Sequence, residues 1–314
     1  MHADRPRGEG RDPTGRSQPV LQVVRGFLMG SADIVPGVSG GTVALVLGIY
    51  ERLVHAIATA SSSAAALARR DLRETGRRLA AVPWVWVLSL LVGIGAAVLL
   101  LSGPLERLLA EEPQAMAGLF FGLIVGAVLV SWRLVRRPSG RLVVVALVAG
   151  LLFFLFLGLQ DTTHASGAEV ATRPWWAFFL AGAVAICAMI LPGISGSFIL
   201  VLLGMYTQVL GAVNEREIGL LLVFLLGCVL GLAAFSSLLT WLLDHHHDVV
   251  LAALIGLMLG SLRILWPWPN GLESTELAAP SGPVLVPVLL AVAGLALVLG
   301  VDALGRAAEH RRAR

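Results

Sequence analysis

The 314 residues are 57% apolar and only 14% charged, with a formal charge of +3. A soluble domain carries about 25% charged residues, so the composition excludes an ordinary water-soluble globule and points to a bilayer. Every basic residue is arginine, and where these arginines fall along the chain says more than their sum.

In chain order, residues 1–18 are polar and are expected to form a disordered cytoplasmic arm. They do not read as a cleavable signal, because the first apolar run holds Arg25 and Asp33 and breaks at Pro36-Gly37 rather than at a small-residue cleavage site. That run and its return, 20–50, form a broken hairpin, and 52–82 reads as a polar loop. Runs long enough to cross a hydrocarbon core, about 20 residues each, follow at 83–101, 115–132 and 142–160. A second broken pair at 174–211, long enough to leave full crossings open, precedes runs at 218–243, 249–266 and 284–301. A basic cytoplasmic tail, 305–314, ends the chain. Trp84, Trp86, Trp132, Trp175, Trp176, Trp266 and Trp268 fall at span ends, as an interfacial belt should.

The chain repeats itself. Pro36-Gly37-Val38-Ser39-Gly40 returns as Pro192-Gly193-Ile194-Ser195-Gly196, and the match runs on to Gly48-x-Tyr50 and Gly204-x-Tyr206, at an offset of 156. Residues 88–130 then align on 222–264 at an offset of 134, with Gly93/Gly227, Ser102/Ser236, Gly122/Gly256 and Gly126/Gly260 in register. Each copy, 19–160 and 174–304, is a broken hairpin followed by three spans. Because three is odd and a hairpin returns to its own side, the second copy must enter from the opposite face. The expected fold is therefore an all-α polytopic membrane protein of two inverted-topology repeats.

The arginines test this independently. Those of the N-terminal arm, the 52–82 loop, the 133–141 loop and the C-terminus fall on one side in this topology. The other side holds mostly Glu and Asp, with only Arg107, Arg173, Arg216 and the deeper Arg263. By the positive-inside rule the arginine-rich face, with both termini, is cytoplasmic.

The hairpin tips carry the chemistry. Pro36 removes a donor and disfavours helix before it, and the glycines after it free the backbone to turn. Ser39 suits the N-cap of the returning half, Val38 to Tyr50, which at 1.5 Å per residue is a helix of roughly 20 Å. The amides of Gly40, Gly41 and Thr42 then lack intrahelical partners and suit an anion, and Ser195, Gly196 and Ser197 repeat the arrangement. One such motif alone reads as a packing kink. Two, entering from opposite faces, point to a transport site.

Asp33 has Met189 as its counterpart, and is a proton carrier, the partner of an arginine, or a brace for the turn. Glu51 and Arg52 sit at the cytoplasmic mouth, as a surface pair or as part of the path. Arg25 and Arg263 lie within apolar runs and either pair with an anion or snorkel to the interface. Asp33 or Glu51 could couple transport to a proton or another ion. Cys187 and Cys228 read as small buried hydrophobes. Asp244-His245-His246-His247-Asp248 has metal-ligand residue types but no partner ligands at helical spacing, so no metal or cofactor is expected, and nothing suggests nucleic acid.

The segment Gly30 to Thr42 with Gly48-Ile49-Tyr50-Glu51, together with Leu191 to Phe198 and Gly204-Met205-Tyr206, resembles the PopT family of polyprenyl-phosphate transporters, and the likeness covers about residues 20–304. It implies carriage of undecaprenyl phosphate, the lipid carrier of cell-wall precursors, back across the bacterial cytoplasmic membrane. Two other classes stand beside it. A carrier of a small soluble anion would use the same tips. A membrane lipid-phosphate enzyme would need converging bases or a carboxylate-held metal, whereas the seven histidines all lie outside the spans.

Overall fold

The computed structural model describes residues 19–35, 38–158, 173–273 and 276–312. The expected arm 1–18 and the Pro36-Gly37 pair lie outside the described residues. The described residues form helices α1 (Pro19–Asp33), α2 (Gly40–Val46), α3 (Tyr50–Ala68), α4 (Leu72–Ala81), α5 (Trp84–Glu111), α6 (Pro113–Trp132), α7 (Gly140–Gly158), α8 (Trp175–Ile190), α9 (Gly196–Leu202), α10 (Tyr206–Asn214), α11 (Ile218–Ser261) and α12 (Leu285–Arg312). Five of them, α5, α6, α7, α11 and α12, are long and apolar enough to cross a membrane.

Helix α11 holds two of the expected spans. Its 44 residues would extend about 66 Å if straight, twice a hydrocarbon core of about 30 Å. The backbone leaves helical geometry at His246 (φ −135°, ψ 38°), which divides the helix into two arms. Glu112, 134 residues earlier, joins α5 to α6 with nearly the same backbone (φ −133°, ψ 55°).

Two expectations change. The 52–82 stretch is helical, not a loop: α3 carries an alanine- and serine-rich run, and Asp71 caps α4 by accepting from the amide of Glu74 at 2.9 Å. The returning half of each hairpin is also shorter than expected. Helix α2 has seven residues, about 10 Å, and stops before Gly48, which adopts φ +66°. Gly204 at φ +63° does the same after α9, so α9 and α10 meet at 108° and neither alone is long enough to cross. Because each Gly-x-Tyr pair starts a new helix, it marks a second break in its copy.

Close helix approach is set by glycines, whose missing side chains let backbones touch. A Cβ on Gly26 or Gly93 would strike the backbone of Leu90 or Val23, which locks α1 against α5 in parallel. Gly182 and Gly227 stand in the same relation to Phe224 and Phe179, which locks α8 against the first arm of α11. Gly122 and Gly126 face Ala291 and Val298, joining α6 to α12. Gly256 and Gly260 face Ala146 and Gly150, joining the second arm of α11 to α7.

Polar contacts gather at two opposite ends. At one, Asp248 accepts from the amides of Arg136 and Arg137, both at 3.0 Å, while Asp302 pairs with Arg133 and Arg306. At the other, Gln114 donates to the Pro269 carbonyl at 2.6 Å and Gly271 packs on Pro113. Not every tryptophan joins a belt. Trp84, Trp175 and Trp176 are exposed, whereas Trp86 is in the core with Arg52 stacked 4.7 Å over its ring, and Trp268 is buried too.

Candidate functional site

The two hairpin tips meet inside the protein. Thr42 lies in the first turn of α2, and its Oγ1 accepts the backbone N–H of Gly193 at 2.9 Å. Ser39 Oγ donates to the Leu191 carbonyl at 3.3 Å, and the Tyr50 hydroxyl donates to the Ile190 carbonyl at 3.2 Å. A Cβ on Gly41 would lie 2.8 Å from that same Ile190 carbonyl oxygen, so only glycine lets α2 approach this closely. Gly193 adopts φ +82° with Met258 and Ser261 against it, a position closed to larger residues on both counts.

Tip 1 is braced from within. Asp33 Oδ1 accepts the Gly40 amide at 2.6 Å, and Ser39 caps α2 by accepting from the Thr42 amide at 3.4 Å. The bond from Gly40 to Asp33 is the contact that a brace for the turn would make. A Cβ on Gly40 would come within 2.6 Å of the Asp33 carboxylate. The amides expected to await an anion at tip 1 are thus partly engaged: Gly40 holds Asp33, and Thr42 holds Ser39.

Tip 2 differs. Ser195 precedes α9 without capping it, and its hydroxyl instead meets that of Ser197 at 2.8 Å. These two serines and Gly196 line a cavity of about 310 Å³ together with Asp33, Val38, Met189, Phe224 and Cys228. The cavity is therefore lined by the acid of one tip and the hydroxyls of the other.

Of the charged residues that the sequence singles out, only Asp33 lines this cavity. Arg25 lies two turns back on α1, near the Gln22 side chain. Arg52 stacks on Trp86. Arg263 stacks 4.8 Å over Phe154, against Gly158. Glu51 Oε1 meets His247 Nε2 at 2.7 Å, and His247 Nδ1 faces Asp248 at 3.0 Å. The histidine run is thereby tied to the mouth of the first hairpin. Among the described residues no group of three or more His, Cys, Asp or Glu is placed to hold a metal ion.

Sequence reasoning missed Tyr50 as a working residue and treated it only as a mark of repetition. It is 1% exposed and bonded to tip 2, whereas its counterpart Tyr206 is 42% exposed. A tyrosine inside an apolar run was the available signal, since a buried phenol seeks a partner.

Comparison with known proteins gives a consistent result. Residues 29–280 match the family described as undecaprenyl phosphate translocase-like. The chain is 36% identical over 303 residues to a polyprenyl-phosphate transporter of Vibrio cholerae, covering 89% of this chain and 94% of that one. It is 29% identical over 258 residues to a polyprenyl-phosphate transporter of Staphylococcus aureus, covering 79% and 86%. No solved structure matches.

Proposed function

The chain belongs to the undecaprenyl phosphate translocase-like family, and from this premise we propose that it moves undecaprenyl phosphate from the outer to the inner leaflet of the bacterial cytoplasmic membrane, for reuse of the lipid carrier. Its family and both relatives are named for transport rather than for an enzymatic reaction. The observation that carries the reading is the cavity where Asp33 of one tip faces Ser195 and Ser197 of the other.

Alternating access between inverted repeats is supported by the helix registers. The contact of Gly93 with Val23 recurs as Gly227 with Phe179, each partner displaced by its own repeat offset, 134 and 156. Gly26 with Leu90 recurs as Gly182 with Phe224. The second arm of α11 runs parallel to α7, and α12 runs parallel to α6. If α11 reverses at His246, its first arm runs against α5, so α8 enters from the face opposite to α1. Two halves of this kind have two nearly equivalent arrangements, open to opposite sides.

The phosphate is held in the cavity by the hydroxyls of Ser195 and Ser197 and the backbone of Gly196. In the alternate state Ser39, Gly40, Gly41 and Thr42 exchange their present partners for it. A phosphate facing Asp33 at hydrogen-bonding distance places two acids in one site, and such a pair retains a proton. Asp33 is therefore the coupling residue, and one proton enters with each lipid. Glu51, His247 and Asp248 close the cytoplasmic face, which is the arginine-rich one with both termini. Arg25 and Arg263 serve at the two interfaces rather than in the cavity.

The test is surface-exposed undecaprenyl phosphate, measured with an antibiotic that binds this lipid on cells with and without the protein. Active protein lowers the exposed pool, and Ser39→Ala or Gly40→Leu restores it while the protein still inserts. An exposed pool that ignores the protein leaves a small soluble anion as the cargo. Asp33→Asn removes the pH dependence of transport, and an unchanged pH profile dismisses the proton.

A further inference from the structure

A second cavity, of about 240 Å³, lies on the other side of Val38, which lines both. Its floor is Ala32, Phe120, Ile124 and Ala127, all buried. Its rim is Leu28, Leu297 and Val301, at 43%, 59% and 37% exposure. Its two hydroxyls are already committed: Ser31 donates to the Phe27 carbonyl at 2.7 Å, and Thr42 accepts from Gly193. What remains is hydrocarbon, opening between α1 and α12 on apolar surface. Empty space of this size is unusual in a close-packed interior.

The repeat shows that the fold does not require this space. The offsets that align the two copies place Phe198 at the position of Thr42. Aligning α7 on α12 through their glycine contacts places Phe153 and Phe156 at the positions of Val298 and Val301. Around tip 2, Phe153 of α7 packs in one cluster with Ile194 and Phe198. Where the surroundings of tip 2 are filled with aromatic rings, those of tip 1 keep a groove.

We infer that this groove is the track for the isoprenoid tail of the transported lipid phosphate. The inference rests on the proposed function, since the groove begins at the wall of the phosphate cavity and ends at lipid. A tail covalently joined to a phosphate in the cavity must leave it through an apolar exit. Within a bilayer a hydrocarbon chain gains no hydrophobic driving force by leaving lipid for such a groove, so the groove selects it by close packing, which a soluble anion without a tail cannot use.

The experiment copies the aromatic packing of α7 beside tip 2 onto α12 beside tip 1. Full-length protein carrying Val298→Phe and Val301→Phe is purified, and binding is measured for undecaprenyl phosphate, for dimethylallyl phosphate, which has the head but almost no tail, and for dioleoyl phosphatidic acid. The expected result is at least a tenfold loss of affinity for undecaprenyl phosphate, with the short phosphate and the phosphatidic acid unchanged. Unchanged binding of all three overturns the groove. Equal loss for the short phosphate overturns it too, because the substitutions then act through the phosphate cavity. Equal loss for phosphatidic acid marks a general acyl-chain groove and rejects the isoprenoid. Wild-type protein that binds neither prenyl phosphate rejects the proposed function itself. If the double variant fails to fold, Leu28→Trp on the rim replaces it, with the same expected result.

Discussion

Thr42→Val separates the two tips with little change of shape. The Thr42 hydroxyl accepts the Gly193 amide at 2.9 Å, and Thr42 is 3% exposed. Valine preserves the branched outline but offers no acceptor, so the buried amide loses its partner at a cost of about 1–3 kcal/mol. Spent against the state in which the tips touch, that is about 5- to 150-fold in the equilibrium between apposed and parted tips. Hydrogen exchange followed by mass spectrometry on the peptide containing residues 191–195 reads this directly. Exchange at Gly193 accelerates by that factor in Thr42→Val and returns to the wild-type rate in Thr42→Ser, which keeps the hydroxyl. Equal acceleration in the serine variant, or none in the valine variant, refutes the claim that this bond joins the tips.

Gly93→Ala and Gly227→Ala each place a methyl on a facing helix backbone, at Val23 and Phe179. Each lowers stability by about 1–3 kcal/mol, measured by thermal unfolding in detergent, whereas Gly95→Ala, which meets nothing within 4 Å, leaves it unchanged. Glu51→Gln and His247→Gln form a double-mutant cycle across the 2.7 Å contact, and the expected coupling is about 0.5–1 kcal/mol. The Glu74 carboxylate is held below its usual range by the bond from Arg78 and then that from Arg77. A depressed folded-state value means that the contribution is present above the unfolded value, about 4.3, and is lost as the pH falls through the folded one. Acidification therefore speeds amide exchange across 72–81, corrected for intrinsic rate, and Glu74→Gln removes that step.

The crossing helices were legible because a lipid-facing helix must be apolar for its whole length, so hydropathy alone located 83–101 and its fellows. The break at His246 was legible for the same reason, since two polar-flanked spans leave five hydrophilic residues between them. The meeting of the tips was legible as geometry but not as bonding. Nothing in Gly193 announces that its amide will find Thr42 some 151 residues away. The shortness of α2 was hidden because valine and leucine fill Val43 to Leu47 as they would any helix. Only Gly48 betrayed the end, and its positive φ is not visible in composition. Trp86 misled in the opposite way: it lies at a span end, yet Arg52 covers it and it faces the core. The fate of the arginines was equally closed to sequence, because stacking on an aromatic ring and pairing with an anion ask for the same residue type.

The two tips are alike in backbone but unequal in charge. Here Met189 stands where the first copy has Asp33, and Phe198 stands where it has Thr42. The first difference leaves a single acid at the meeting point. The second leaves tip 2 without the hydroxyl by which Thr42 holds tip 2 from tip 1, so the serines of tip 2 bond to each other while tip 1 is tied across. In the conformation seen, tip 1 is braced by Asp33 and tip 2 lines the cavity with its hydroxyls. In the proposed transport cycle, phosphate binding at tip 1 requires Asp33 to release the Gly40 amide, and protonation of the carboxylate weakens that charge-assisted bond. In that cycle proton entry and tip release are one event, so Asp33→Asn is expected to free the tip and to abolish the pH dependence together.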